Sequence, residues 1–244
     1  MPNCHASFLL ILVNGLLLVS GCSQEREPYR SYYFPLEDFD EGVVYIYQPA
    51  NELNLGNEIW SMHSTRTDTG MVLMTRIYDQ TNTLIQSIRE TQVVNGMLAD
   101  ETIYYTRDTS DRLVSVPLNI TRNALFPFVI PDTGKVYTYQ ASWREPGDSS
   151  LTTTLTRYRR YDREEVVTTP DGGSTSAVIM RLNETIDNDG EGVLSLELSG
   201  EEAYGKGYGL MAWKRILPTG DTLAFRLQEV MSQSNYEAKY GRLE

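Results

Sequence analysis

The sequence predicts an all-β chain: an antiparallel meander curving into an open half-barrel or sandwich, built from two tandem related halves. Three observations carry that expectation. Short runs alternate apolar and polar residues, turn-forming residues separate them at short intervals, and a fifteen-residue stretch returns. FPLEDFDEGVVYIYQ, from Phe34 to Gln48, matches FPFVIPDTGKVYTYQ, from Phe126 to Gln140, at eight of fifteen positions without a gap. In each copy Phe-Pro suits the start of an edge strand, because proline has no N–H to donate. The glycine eight residues on permits a turn, and Val-Tyr-x-Tyr-Gln then enters a strand with both tyrosines on one face. The echo places the halves at about 32–120 and 124–232.

Taken from its start, the chain opens with MPNCHASFLLILVNGLLLVSG, residues 1–21, which contain no Asp, Glu, Lys or Arg. The apolar run from Phe8 to Val19 has the length of a signal-peptide core and is short for a membrane span. Residues 22–31 then read as an anchor and a solvated tether, SQEREPYRS being nearly free of apolar residues. The remainder, 32–244, reads as one β-rich domain. After Cys22 no cysteine remains, so the mature chain has neither a disulfide nor a thiolate for catalysis or metal binding. Its formal charge of −12 argues against nucleic acid, which demands clustered Lys and Arg, and against adsorption to anionic lipid by charge.

Leu18-Val19-Ser20-Gly21-Cys22 resembles the lipobox of bacterial lipoproteins. The resemblance implies cleavage before Cys22, diacylation of that cysteine (with fatty chains such as palmitate) and attachment to the bacterial envelope. Ser23 after the anchor, in place of Asp, resembles lipoproteins sorted to the outer membrane. An uncleaved N-terminal anchor is the rival reading, since the leader lacks the usual Lys or Arg. Attachment through lipid is in keeping with several acyl chains holding where one does not.

In the domain, GVLSLELSG places Leu194, Leu196 and Leu198 on one face, DTLAFRLQE does so with Leu223, Phe225 and Leu227, and KVYTYQASW with Tyr137, Tyr139, Ala141 and Trp143. Between such runs stand Asp68-Thr69-Gly70, Asn95-Gly96, Pro146-Gly147-Asp148, Asp171-Gly172-Gly173 and Thr219-Gly220-Asp221, which supply hairpin turns. About a dozen strands follow. Thr83 to Gln92 is the best helical candidate, though a strand fits it nearly as well.

Tyr33-Phe34-Pro35-Leu36, Gly42 and Tyr45-Ile46-Tyr47 also resemble the opening of secreted bacterial proteins of uncharacterised function, a likeness that implies no activity. A looser similarity in size, anchor and meander is to the half-barrels of the carriers LolA and LppX, at the level of fold alone.

Candidate sites are few. His63 is the one histidine of the mature chain, and without a Gly-x-Ser-x-Gly elbow it reads as a structural or surface residue. Asp187-Asn188-Asp189-Gly190-Glu191 has calcium-like carboxylate spacing but lacks the loop pattern, and reads as a hairpin turn. Tyr204-Gly205-Lys206-Gly207-Tyr208-Gly209 lacks the Lys-Ser/Thr of a phosphate loop and reads as a bend where backbones approach closely. Glu58, Glu101, Glu164 and Glu165 show no local context that raises a pKa. There remain a tyrosine-rich face, with Tyr45, Tyr47, Tyr137 and Tyr139, and a basic cluster, Arg157, Arg159, Arg160 and Arg163, that can meet an anionic group or pair with Glu164 and Glu165.

The expectation is therefore a lipid-anchored envelope protein, non-enzymatic, without metal or cofactor, acting as a binding module or carrier for an apolar or glycan ligand. The alternatives are a scaffold for another envelope protein and, more weakly, a hydrolase.

Overall fold

The computed structural model describes residues 27–51, 55–108, 110–190 and 194–243. The leader and Cys22 lie outside the described residues. Thirteen strands follow in order: β1 (Val43–Pro49), β2 (Glu58–Thr67), β3 (Gly70–Tyr78), β4 (Leu84–Val93), β5 (Gly96–Arg107), β6 (Leu113–Pro117), β7 (Asn119–Pro127), β8 (Val136–Glu145), β9 (Asp148–Thr168), β10 (Ser174–Asn188), β11 (Leu194–Gly205), β12 (Gly209–Ile216) and β13 (Thr222–Ser232), then helix α1 (Gln233–Tyr240). The helical candidate at Thr83–Gln92 is β4: its residues pair with β3 on one side and β5 on the other, and this long-range pairing overrides its weak helical spacing.

Consecutive strands pair antiparallel throughout, apart from β6, which pairs with β5 alone while β7 pairs with the start of β5. The ring closes where β1 meets β13, with Val43 opposite Ser232 and Pro49 opposite Phe225. The all-β meander is thus a closed twelve-stranded barrel rather than an open half-barrel. Closure removes the sheet edges that an open half-barrel leaves unpaired. The second Phe-Pro opening falls at the end of β7, so that β1–β5 with β7 and β8–β13 contribute six barrel strands each.

Period two now has a direction. Phe225 and Leu227 of β13, Tyr139 and Ala141 of β8, and Met180 and Leu182 of β10 are buried within the barrel. Alternate positions such as Arg160, Arg181 and Arg226 are exposed. Leu194, Leu196 and Leu198 share a face as expected, but Leu194 lies at the rim, 70% exposed. Charges at mid-strand on the outer wall differ from the apolar band of a lipid-facing barrel. Among the described residues no helix is long and apolar enough to cross a membrane.

The continuous run VVYIY of β1 departs from alternation because both its faces are covered. Tyr45 and Tyr47 enter the main core, while Val44 and Ile46 lie outside under α1, where Tyr236 is buried against them. Ser232 caps α1 by accepting from the Asn235 N–H at 3.2 Å.

A barrel of about eight strands is just filled by its side chains, and diameter grows with strand number. Twelve strands leave space, and one end of it is filled by the segment before β1. Two 3-10 turns, Arg30–Tyr32 and Leu36–Asp38, fold this segment into the barrel and bury Tyr32, Tyr33, Phe34, Leu36 and Phe39. Backbone bonds fasten it on several sides: Tyr29 N–H to Phe128 O at 3.1 Å, Gly207 N–H to Ser31 O at 2.8 Å and Ser64 N–H to Phe39 O at 3.0 Å. The Gly-Tyr-rich stretch is the β11–β12 hairpin. Gly207 and Gly209 have φ of +80° and +78°, and Gly209 lies so close under the Phe34 ring that a Cβ there would come within 2.3 Å of it.

Candidate functional site in the barrel lumen

Above this plug the barrel holds a cavity of about 330 Å³. Tyr33, Phe34, Tyr204 and Leu210 form its floor, and half-buried Glu58, Trp60, Ile85, Gln86, Tyr104 and Leu223 line it where solvent enters. Between them lies a set of charges contributed by successive strands: half-buried Arg157 and buried Arg159 from β9, and buried Glu184 from β10, Glu202 from β11 and Arg215 from β12.

The charges form one network. Arg159 donates from Nε to Glu202 Oε2 at 2.8 Å and from Nη2 to Oε1 at 3.3 Å. Arg215 joins the two carboxylates, giving Nη2 to Glu202 Oε1 at 3.0 Å and Nε to Glu184 Oε2 at 2.7 Å. Arg157 Nε donates to the other oxygen of Glu184, and Tyr204 donates its hydroxyl to Glu202 Oε2 at 3.0 Å. Burial opposes ionisation of Glu202, but Arg159, Arg215 and Arg157 outweigh it and hold the carboxyl far below the usual range. Glu184 is lowered by the same balance, with Arg157 and Arg215 as its partners.

Two further carboxyls behave oppositely. Glu90 of β4 is buried with Tyr33 of the plug as its hydroxyl donor, and burial pushes its pKa up to about 7 despite that bond and Arg159. Glu58 is likewise raised by burial, with the Trp60 indole N–H, at 3.2 Å, and Arg215 opposing the shift. The sequence expectation that nothing near Glu58 raises its pKa is corrected: the barrel wall, distant in sequence, removes it from water.

Of the binding residues read from the sequence, Tyr139, Arg157 and Arg159 come together in the lumen, where Tyr139 donates to Thr102 Oγ1 at 3.1 Å. Tyr45 and Tyr47 are buried in the core instead, and their hydroxyls satisfy the Tyr208 and Leu210 carbonyls at 2.9 and 2.8 Å. Tyr137 bonds Val129 O at 3.2 Å. Arg160 faces outward, and Arg163 pairs with Asp162, Glu165 and Glu201 on the outer surface. Strand alternation turns Arg160 outward, and the bulge between Tyr161 and Arg163 reverses the alternation and turns Arg163 outward as well. His63 is exposed on β2.

Glu184, Glu202, Trp213 and Arg215 went unread in the sequence. Their one signal is positional: Gly200-x-Glu202-x-Tyr204 and Met211-x-Trp213-x-Arg215 keep inward period two, with a charge where an apolar residue belongs. Among the described residues no group of three or more His, Cys, Asp or Glu is arranged to hold a metal ion. At Asp187–Gly190 the carboxylate and amide bind backbone, Asp189 Oδ1 accepting from the Thr152 N–H and Asn188 Oδ1 from the Gly190 N–H.

No protein-family model matches the chain, and no curated protein is similar to it in sequence. Solved structures share the fold. A protein assigned as a lipoprotein of Parabacteroides distasonis superposes with a TM-score of 0.56 at 13% identity, covering 82% of this chain and 98% of its own. A protein of Bacteroides fragilis assigned as exported, with a YmcC-like fold, superposes with a TM-score of 0.55 at 12% identity and the same coverage. The chain shares the fold of these two bacterial proteins.

Proposed function

We propose that the chain is a bacterial envelope protein, held at the outer membrane through lipid on Cys22, whose barrel lumen binds a small glycan. The observation that carries this reading is a hollow that the protein's own side chains leave open and line with both aromatic faces and hydrogen-bonding groups. Its volume lies at the small end of the range for ligand pockets, roughly 300–1,000 Å³. Trp60 and Trp213 are half-buried and each is backed by an aromatic ring, Tyr47 at 4.9 Å and Phe225 at 4.8 Å. Such rigid faces suit the C–H surface of a sugar, while the charged groups suit its oxygens. An apolar ligand fits less well, because it would bury Arg157 and Arg159 against hydrocarbon. The fold of exported proteins and the lipobox support the placement in the envelope. The scaffold reading has less support, since exposed Val94, Val166 and Leu194 belong to different hairpins and give no common patch.

One observation favours a hydrolase as the second reading: Glu90 and Glu202 share the lumen and are pushed in opposite directions, as a general acid and its carboxylate partner would be. Against it, Arg159, Arg215 and Tyr204 already occupy the oxygens of Glu202. Native mass spectrometry of the gently purified mature chain, carrying Cys22→Ser, separates the readings. A stoichiometric saccharide adduct that persists unchanged on incubation supports the binding protein. Release of a shortened saccharide over time would move the assignment to the hydrolase.

A further inference from the structure

We infer that the lumen takes its saccharide from the aqueous space on the side of the barrel away from the anchoring bilayer, and not from lipids whose sugars sit at that bilayer's surface. This source rests on the proposed anchor at Cys22 and the proposed glycan site, and specifies where their ligand comes from. The mouth of the lumen and the entry of the tether lie at opposite ends of the wall. Strand β4 joins the two: Ile85 and Gln86, at its start, line the mouth, while Gln92, near its end, accepts from Arg30 Nη2 of the plug segment at 3.5 Å. Glu58 and Leu223, at the starts of β2 and β13, stand on the mouth side as well.

On the plug side, Glu27 is the first described residue. It pairs with Arg30 at 3.3 Å, and Tyr29 gives its N–H to Phe128 O, just past the end of β7. The Phe128 N–H in turn bonds Asn95 O, in the β4–β5 turn, at 2.8 Å. The chain therefore enters the barrel at the end where β4 and β7 finish. Cys22 stands five residues before Glu27, and an extended chain covers at most about 3.6 Å per residue, so the anchor lies within about 18 Å of that entry.

That reach decides the orientation. A ten-residue strand such as β8, tilted as barrel strands are, spans roughly 25 Å along the axis. For the mouth to meet the bilayer, the tether would have to run the height of the wall, and it is too short. Nor does charge lay the barrel on its side, since a chain of net charge −12 is not drawn along an anionic surface. The mouth faces water. A sugar seated on a lipid of the same leaflet lies below the plug, on the closed side of the lumen, whereas a dissolved saccharide meets the open one.

Energy transfer to rhodamine-labelled lipid tests the orientation on the full lipidated chain, inserted into vesicles of phosphatidylethanolamine and phosphatidylglycerol. A donor dye is placed on Thr69→Cys, in the exposed β2–β3 turn at the plug end, or on Thr219→Cys, in the exposed β12–β13 turn at the mouth end. Transfer should be severalfold stronger from the Thr69 position. In the same vesicles the saccharide found as the mass-spectrometric adduct should bind within about twofold of its affinity for the soluble Cys22→Ser chain. Its lipid-linked form, set in the vesicle, should compete at least tenfold less well than the free sugar. Equal transfer from both positions, or equal competition by the lipid-linked sugar, would overturn the inference and leave the glycan reading standing. Transfer as expected with no saccharide bound to either form would overturn the glycan reading, and the inference with it. A chain that stays off the vesicles would overturn the anchor and so the orientation.

Discussion

Glu90 and Glu202 give the fold opposite dependences on pH. The folded-state pKa of Glu202 is depressed, so its stabilisation is present above the ordinary carboxyl value near 4.5 and is lost as pH falls toward the folded value. That of Glu90 is raised to about 7, so ionising it costs stability as pH rises from 4.5 through 7. Chemical denaturation should therefore show greatest stability near pH 5 and a decline, on the order of 2 kcal/mol, toward pH 8. Glu90→Gln should remove most of that decline, the rest belonging to Glu58, whose pKa burial also raises, while leaving the acid limb unchanged. Glu202→Gln should cost roughly 3–5 kcal/mol at pH 7, because it strands Arg159 and Arg215 without their shared anion. Circular dichroism melting checks this against the double variant Arg159→Met/Glu202→Leu, which removes both charges of one pair and should lose less. At this scale the sequence was legible only in part. Period two in RYRRYDREE already puts Arg157 and Arg159 on one face and Arg160 on the other. Which face is inside is hidden, because a charged residue ordinarily marks the solvent side, and here the charges are neutralised by partners up to 43 residues away.

At the scale of elements, strands and hairpins were the readable part, since alternation and Asp-Gly or Asn-Gly turns act locally. The Gly-Tyr stretch was read as a close backbone approach, and Gly209 under Phe34 is that approach. Helix α1 is not legible, because Gln-Ser-Asn-Tyr-Glu-Ala-Lys-Tyr presents no apolar face and buries only Tyr236, which packs on β1. Nor is the plug, which the sequence presents as the lead into a strand. Two expected outcomes belong here. Gly209→Val should destabilise the protein by more than the roughly 1–3 kcal/mol of a strained positive φ, since its side chain also meets the Phe34 ring, and Gly207→Ala, with open space at its Cβ, should cost less. Phe34→Ala should cost roughly 3–5 kcal/mol by thermal melting and open the lumen floor.

For the whole molecule, strand count decides the outcome. A half-barrel and a closed barrel have the same local pattern, and the difference lies in the β1–β13 pairing between residues nearly two hundred positions apart. Once twelve strands close, the interior exceeds what wall side chains fill. The plug takes one end, the Arg–Glu network braces the middle, and the hollow lined by Trp60, Tyr104 and Trp213 is what is left. The central claim is that this hollow is a site rather than a packing defect. A high-resolution crystal structure of the mature chain, grown with and without the saccharide found as its mass-spectrometric adduct, tests it most directly. The account predicts an open lumen in both, filled by ordered water in the free protein and by the sugar in the complex. A lumen collapsed around Trp60, Tyr104 and Trp213, with no room for a sugar, would contradict it.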